Sequence, residues 1–460
     1  GNWWGTADAA AVAALVSGDV DYSPWLAAGT DTGSGALGFK GDFSVLWVDD
    51  NSPHAGTKTR MQEATDLVAS GGTVRVLAGT YAGAFTITKP VTVLGPNDGI
   101  SPNTGVRVAE AVLQGTTASG LSESVALDTT GVVLRGLTFD NLRIDSYNGN
   151  EHEQITGDVI AFNRFINVLG TPIYLRDGRD VPGEYSTGVV VQDNRIESPA
   201  SAGSADFNAG SGIIVMGAEA LAIRDNVILA AAYNGIQLGR CNGVVLQNNT
   251  ATGCVQPALQ IAQWNDGEFA ISGNTFSTLS TTKAAVRLYG FTNNYNPLFT
   301  FTGNTIRDSK YGVQIGHGDA GKGYNDIRDA DYAFSGNTFA NIESYRLLVY
   351  LATAATAEEQ TEMDALFVQI HAAGTTAKAI TAADPFTYVA VPNPVWVDDS
   401  FTAESCDGHI WGYDAFATIQ AGVNAVVEGG TVHVAAGTYE ESFTLNKQLT
   451  LTGPATGDRP

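Results

Sequence analysis

Apolar positions in this chain recur in short runs of period two. Each run has three or four residues and is punctuated by Gly, Asn or Asp. The pattern small–apolar–variable–apolar appears at 212–215, 235–238, 258–261, 285–288 and 312–315. Alternation of this kind marks strands with one buried and one exposed face. A second apolar run, such as 189–191, 221–223, 244–246 or 299–301, precedes an asparagine. Those asparagines are Asn163, Asn194, Asn226, Asn249, Asn274, Asn304 and Asn337, spaced 31, 32, 23, 25, 30 and 33 residues apart. A period of this length predicts a solenoid, in which each repeat is one turn stacked on the last. The asparagines are expected at one corner of every turn, hydrogen-bonding along the stack as a ladder and tolerating an unusual corner backbone.

Helix-shaped patterns are few. Three are predicted, at 57–70, at 357–373 and at 414–428, the first and third running into Gly-Gly. They read as end caps that shield an open strand edge. At 460 residues, with 53 Gly and 15 Pro, the chain suits a long core with many tight corners.

A longer repeat overlies the short one. Trp47-Val48-Asp49-Asp50 recurs as Trp396-Val397-Asp398-Asp399, and residues 71–96 align without gaps to 429–454 with 15 of 26 positions identical. Residues 396–460 therefore read as the opening of a following β-helix: a cap helix and its first strands. Residues 1–42, with Trp3, Trp4, Tyr22 and Trp25, read as the closing seal of a preceding one plus a linker, with no coil of their own to seal. Between them lie a main helix at 43–345 and a helical insertion, cap and connector at 346–395. Trp3, Trp4, Tyr22, Trp25, Trp396 and Trp411 become candidates for assembly.

On these motifs, residues 43–345 and 396–460 resemble the pectin-lyase-like, right-handed parallel β-helix superfamily. The ends are similar to tandem β-helix repeat proteins of bacterial and archaeal cell surfaces. That resemblance implies an all-β, right-handed parallel solenoid with short capping helices. It also implies an extracellular or cell-surface location. For activity it implies no single answer, because the superfamily holds lyases, hydrolases, epimerases, adhesins and structural proteins.

The formal net charge of −24 disfavours nucleic acid and anionic lipid as partners, and no segment reads as membrane-inserting. No cofactor is required by any motif. Acidic pairs such as Asp49-Asp50 and Asp398-Asp399 could contribute to calcium sites, with solvated acidic surface as the alternative. Cys241 and Cys254 lie in adjacent turns, where they could pair or remain buried thiols, and Cys406 makes the count odd.

The residues just after the small–apolar–x–apolar strands stack on one side and form the candidate groove. Its carboxylates and imidazole are Asp177, Asp180, Asp266, His317 and Asp319. Its carbohydrate-binding candidates are Arg176, Arg179, Arg240, Trp264, Tyr289 and Lys322, with Gln237, Gln260, Arg287 and Gln314 beside them. Paired acids suit glycoside hydrolysis, a base beside a uronate suits elimination, and the same surface could bind sugar without chemistry. Gly316-His317-Gly318 matches one short polygalacturonase element, but the paired acids and the basic element that would accompany it are missing. The sequence therefore favours a structural surface protein that continues or assembles end to end into a filament, sheath, stalk or layer. A carbohydrate-active enzyme or a glycan-binding adhesin is the alternative.

Overall fold

The computed structural model describes residues 2–146 apart from 34, 36 and 119, then 154–177, 185–201, 209–289 apart from 263, 296–316, 330–351 and, with short breaks, 358–454. The chain is a right-handed parallel β-helix, dominated by short strands in parallel sheets. It separates into two compact units, residues 1–310 with 329–341, and residues 311–328 with 342–460.

In the first unit each turn contributes to three sheets. Sheet I stacks Thr92–Leu94, Val133–Arg135, Val159–Ala161, Val190–Gln192, Ala218–Arg224, Asn242–Gln247, Asp266–Ser272, Leu298–Thr302 and Asp331–Ser335, all parallel. Sheet II follows each ladder asparagine, as in Arg164–Ile166, Arg195–Glu197 and Val227–Leu229. Sheet III holds the small–apolar–x–apolar strands Ile173–Arg176, Ile213–Met216, Ile236–Gly239, Leu259–Ala262 and Ala284–Tyr289. Inward positions form apolar columns: Phe139 stacks on Phe165 at 4.7 Å and Phe301 on Phe334 at 4.8 Å between ring centres. No single turn could bury these rings; the stack does.

The asparagines occupy the corner between sheets I and II. Each main-chain N–H donates to the Oδ1 of the next asparagine, from Asn163→Asn194 at 3.1 Å to Asn304→Asn337 at 2.9 Å. Each Nδ2 donates back to a sheet I carbonyl, for example Asn226 to Val191. The corner backbone departs from expectation in one respect. The left-handed residue is the one before each asparagine: Phe162, Asp193, Asp225, Asn248, Gly273, Gly303 and Gly336. The asparagine itself turns its side chain into the stack, and its neighbour carries the strained dihedral.

The N-terminal segment has its own place in the stack. It is seated on this chain's own first coil. Strand β1 (Trp25–Leu26) pairs antiparallel with β2 (Val45–Val48), the first strand of the stack. A helix the sequence pattern did not suggest, α1 (Ala9–Leu15, N-capped by Asp8), brings Val12 against Tyr22 and Trp25. Trp4 and Trp47 complete that cluster. Trp3 lies over Gly29, where any Cβ would stand 2.3 Å from the indole. Ser23 Oγ receives the Asp49 amide and Ser52 Oγ the Tyr22 amide, so hydrogen bonds as well as rings hold the seal.

Beyond β2 come α2 (Arg60–Leu67, capped by Thr59), β3 (Thr73–Val76), β4 (Gly79–Ala82), β5 (Phe85–Ile87) and β6 (Thr92–Leu94). The acidic pair here accepts main-chain amides: Asp50 that of Thr80 and Asp49 that of Asn51. In the second unit Asp399 accepts the Thr438 amide in the same way, and the Tyr81 and Tyr439 hydroxyls reach the strand carbonyls of Val48 and Val397.

The second copy differs at both edges. Residues expected to start a helix at 414 begin instead as the strand Ala415–Phe416, parallel to Val395–Val397. Covering an open edge outweighs helical periodicity there, and Thr418 then caps α3 (Ile419–Ala425). On the other edge, Thr450–Thr452 pairs only with Thr431–Val434 among the described residues. The segments matching β4 and β5 form no strands. Leu445 is 55% exposed where its counterpart Ile87 is 1% exposed, and Phe443 and Leu451 are exposed where Phe85 and Val93 are buried. Trp396 stacks on His409 at 4.1 Å, and Trp411 is exposed. Residues 357–373, the second predicted helix, lie mostly outside the described residues.

Candidate functional site

The sheet III strands present two outward columns. One runs Asp145, Tyr174, Ile214, Gln237, Gln260 and Arg287; the other runs Arg176, Met216, Gly239, Ala262 and Tyr289. The first is not the open row that its polar residues suggest. Gln237, Gln260 and Arg287 are buried, as is Gln314 in the second unit. They are engaged with neighbours: Arg287 donates to Gln260 Oε1 and Asn234 to Gln237 Oε1, while the Arg287 guanidinium lies 5.0 Å from the Tyr289 ring centre. Burial pushes the Tyr289 hydroxyl above its ordinary pKa, with Arg287 opposing.

The accessible chemistry sits at the corner beyond these strands. Gly217, Arg240 and Trp264 each take a left-handed backbone there, at φ 80°, 53° and 49°. Their coils are consecutive, because Glu219 pairs with Asn242 and Asn242 with Asp266. Glycine adopts that conformation freely; an arginine or a tryptophan does so at a cost of about 1 kcal/mol or more. The Trp264 side chain is nevertheless 43% exposed. Arg240 is tucked in beside it, with its pKa lowered by burial and then by the Arg176 guanidinium nearby. Two guanidinium groups thus share one corner of a chain whose net charge is −24.

The carboxylates divide. Asp177 is buried and accepts the Ser186 hydroxyl at 2.8 Å, so it belongs to the interior of the corner. Asp266 is partly exposed beside Trp264, and its carboxylate accepts the Gly267 amide. Arg179, Asp180, His317, Asp319 and Lys322 lie outside the described residues. Cys241 and Cys254 are free and buried, at separate corners, and burial raises their thiols to about 11 and about 12.

Away from this corner lies one further cluster that no sequence motif signals. Asp21, His54 and Glu63 converge where the N-terminal segment meets α2. Among the described residues no helix is long and apolar enough to cross a membrane.

Residues 123–339 match the family model described as a right handed beta helix region. Among solved structures the chain is similar to an alginate lyase from Paenibacillus sp., 15% identical, with a TM-score of 0.40 over 61% of this chain and 95% of that one. It is similar to the A-module of a mannuronan C-5 epimerase from Azotobacter vinelandii, 16% identical, with a TM-score of 0.33 over 65% of this chain and 95% of that one. It is also similar to PfbA, a surface adhesin of Streptococcus pneumoniae, 12% identical, with a TM-score of 0.31 over 63% of this chain and 89% of that one. Likeness at this level is one of fold and assigns no activity. No curated protein matches the sequence.

Proposed function

We propose that this chain, a right-handed parallel β-helix protein of the pectin-lyase-like kind, binds an extended, carboxylate-bearing polysaccharide outside the cell. The binding corner is built from Arg176, Arg240, Trp264 and Tyr289. One observation carries the reading: Arg240 and Trp264 hold left-handed backbone in consecutive coils, where the coil before them uses glycine. Strain retained under large, chemically specific side chains points to use of those side chains. A guanidinium pairs with a carboxylate through two parallel hydrogen bonds, and an exposed indole offers an apolar face to a sugar ring. The 23-to-33-residue coil repeat spaces such contacts along a linear ligand. With Asp177 committed to the interior, binding accounts for the described residues better than hydrolysis by a pair of acids.

Calorimetric titration with polyuronate oligosaccharides, against neutral glucans of equal length, tests the proposal. Acidic oligomers should bind, with Arg240→Ala and Trp264→Ala each weakening affinity at least about tenfold, or about 1.4 kcal/mol. Absence of binding, or unchanged affinity in both variants, would sink it. Release of unsaturated or reducing ends in the same samples would convert the adhesin reading into an enzymatic one.

A second reading, end-to-end association, is supported by the exposed Phe443, Leu445 and Leu451. Their counterparts Phe85, Ile87 and Val93 are covered by a following coil. A strand edge with exposed apolar side chains is a template for another strand. Light scattering across a concentration series should show association that Leu445→Ser with Leu451→Ser abolishes. A monodisperse monomer at all concentrations refutes this reading.

A further inference from the structure

Three segments distant in sequence meet beside the N-terminal seal. Asp21 comes from the stretch leading to β1, His54 from the loop after β2, and Glu63 from the first turn of α2. One nitrogen or oxygen from each lies within 4.8 Å of the other two, and His54 Nε2 stands 3.8 Å from Glu63 Oε2. Asp21 and Glu63 also line a cavity of ≈ 370 Å³, together with Lys58 and Asp66.

The carboxylate of Asp21 is already oriented. Its Oδ1 accepts the Ser52 hydroxyl at 3.1 Å and the Ser23 amide at 3.3 Å, and its Oδ2 accepts the Ala55 amide at 3.1 Å. Outer hydrogen bonds of this kind aim a carboxylate and hold it for a ligand. Glu63 approaches over Gly56, where a Cβ would stand 2.9 Å from Oε1. Arg60 Nη1 lies 3.7 Å from Asp21 Oδ1, which offsets one of the two negative charges.

We propose that Asp21, His54 and Glu63 bind a divalent transition-metal ion of the zinc or cobalt class, and that the ion fastens the N-terminal seal to α2. One imidazole and two carboxylates form a borderline N/O set that suits these ions. Calcium prefers six to eight oxygens and no imidazole. Ligand atoms around tetrahedral zinc are about 3.3 Å apart, given bonds of ~2.0–2.1 Å. The observed spacing therefore needs up to about 1.5 Å of closure, within reach of the solvent-exposed His54 side chain. The cavity leaves room for water in the remaining position. With Arg60 adjacent, the three ligands and Arg60 sum to one net negative charge, so the site is one of moderate affinity. It is independent of the glycan-binding corner.

The test uses the full chain, freed of metal with a chelator. Cobalt(II) and zinc(II) are titrated by absorbance and calorimetry, with calcium(II) as the control. One cobalt should bind with visible d–d bands, and zinc should displace it. His54→Ala and Glu63→Gln should each weaken that site at least about tenfold. Zinc should also slow proteolysis within the exposed 27–42 linker in the parent chain but in neither variant. His54 is exposed, so its replacement leaves folding intact, and circular dichroism checks the Glu63 variant. No cobalt or zinc binding, affinity unchanged in both variants, or calcium binding more tightly than zinc each overturns the proposal.

Discussion

Asp158 offers a measurement in which burial and charge can be separated by pH. It sits at the corner before the sheet I strand Val159–Ala161, fully enclosed, in a column whose neighbours above and below are Val132 and Val189. Its Oδ1 accepts the Val132 amide at 2.9 Å, while Oδ2 is buried with no hydrogen-bond partner. Burial raises its pKa from 3.8 to about 7, against the lowering effect of the Val132 and Gly131 amides. In the unfolded chain the group loses its proton near pH 4; in the folded chain it keeps it until about pH 7. Its contribution to stability is therefore intact below pH 4 and is lost progressively as pH rises to 7. Three units at 1.36 kcal/mol each set that loss at about 4 kcal/mol. Asp158→Asn keeps the acceptor for Val132 and removes the titration. The variant should lie below the parent at pH 4 by the cost of burying the new amide, and its stability relative to the parent should rise by about 4 kcal/mol between pH 4 and pH 8. Urea denaturation at pH 4, 6 and 8, followed by circular dichroism, reads the difference directly, because the other acids cancel between the two proteins. A difference that stays flat with pH, or an Asn variant less stable at pH 8, would refute the reasoning.

Further outcomes follow from the same geometry. Asn226→Ala strands the Asn194 amide and the Val191 carbonyl inside the stack, and should cost about 3–5 kcal/mol. Asn337→Ala, at the part-buried end of the ladder, should cost about 1 kcal/mol; equal midpoint shifts in urea would contradict the ladder's cooperative role. Trp264→Gly and Trp264→Val remove the same indole, but only valine must hold a left-handed φ. The valine variant should melt lower by about 1–2 kcal/mol while glycan binding is lost in both. Gly79→Ala and Gly437→Ala would each drive a Cβ into a hydrogen-bonded aspartate, Asp50 at 2.3 Å and Asp399 at 2.7 Å. Each should destabilise its own copy by about 1–3 kcal/mol, read by hydrogen exchange of the Thr80 and Thr438 amides.

What the sequence revealed depended on whether the geometry demands a residue type or only a conformation. The ladder corner needs a short side chain that both donates and accepts, so Asn recurs and can be seen. The left-handed residue before it needs only a dihedral; Phe162, Asp193, Asn248 and Gly273 all supply it and share nothing visible. The same limit hid the candidate corner's most telling property. Arg240 and Trp264 could be named as groove residues, but the left-handed backbone they share with Gly217 could not. The burial of Gln260 and Arg287 is hidden for a different reason. Polar residues at alternating positions read as solvent-facing, whereas here they satisfy one another in a buried row. Helix α1 escaped because Ala9–Leu15 is apolar at every position, so no alternation of apolar and polar faces marks it. The Asp21–His54–Glu63 cluster escaped because it exists only once the N-terminal segment closes on β2.

The two copies of the opening motif carry this argument further, since nearly the same residues meet different surroundings. Side-chain clasps are common to both. Gln62 exchanges two hydrogen bonds with the Thr86 backbone, and Gln420 does the same with Thr444. The aspartate–threonine and tyrosine contacts recur as well. Local sequence therefore fixes the turns in both copies. Strand status does not recur: β4 and β5 pair with Ala111–Gln114 and Leu121–Leu127, whereas their counterparts have no such partner among the described residues and form no strand. A β-helical turn is thus specified by its own residues only as far as its corners, and its sheets are specified by the next turn. Whatever covers Phe443, Leu445 and Leu451 would complete the strands at 437–445 as well as hide the side chains. Binding at that edge should therefore appear as a gain of parallel β-structure, and an encounter that buried the side chains without protecting the 437–445 amides would be of another kind.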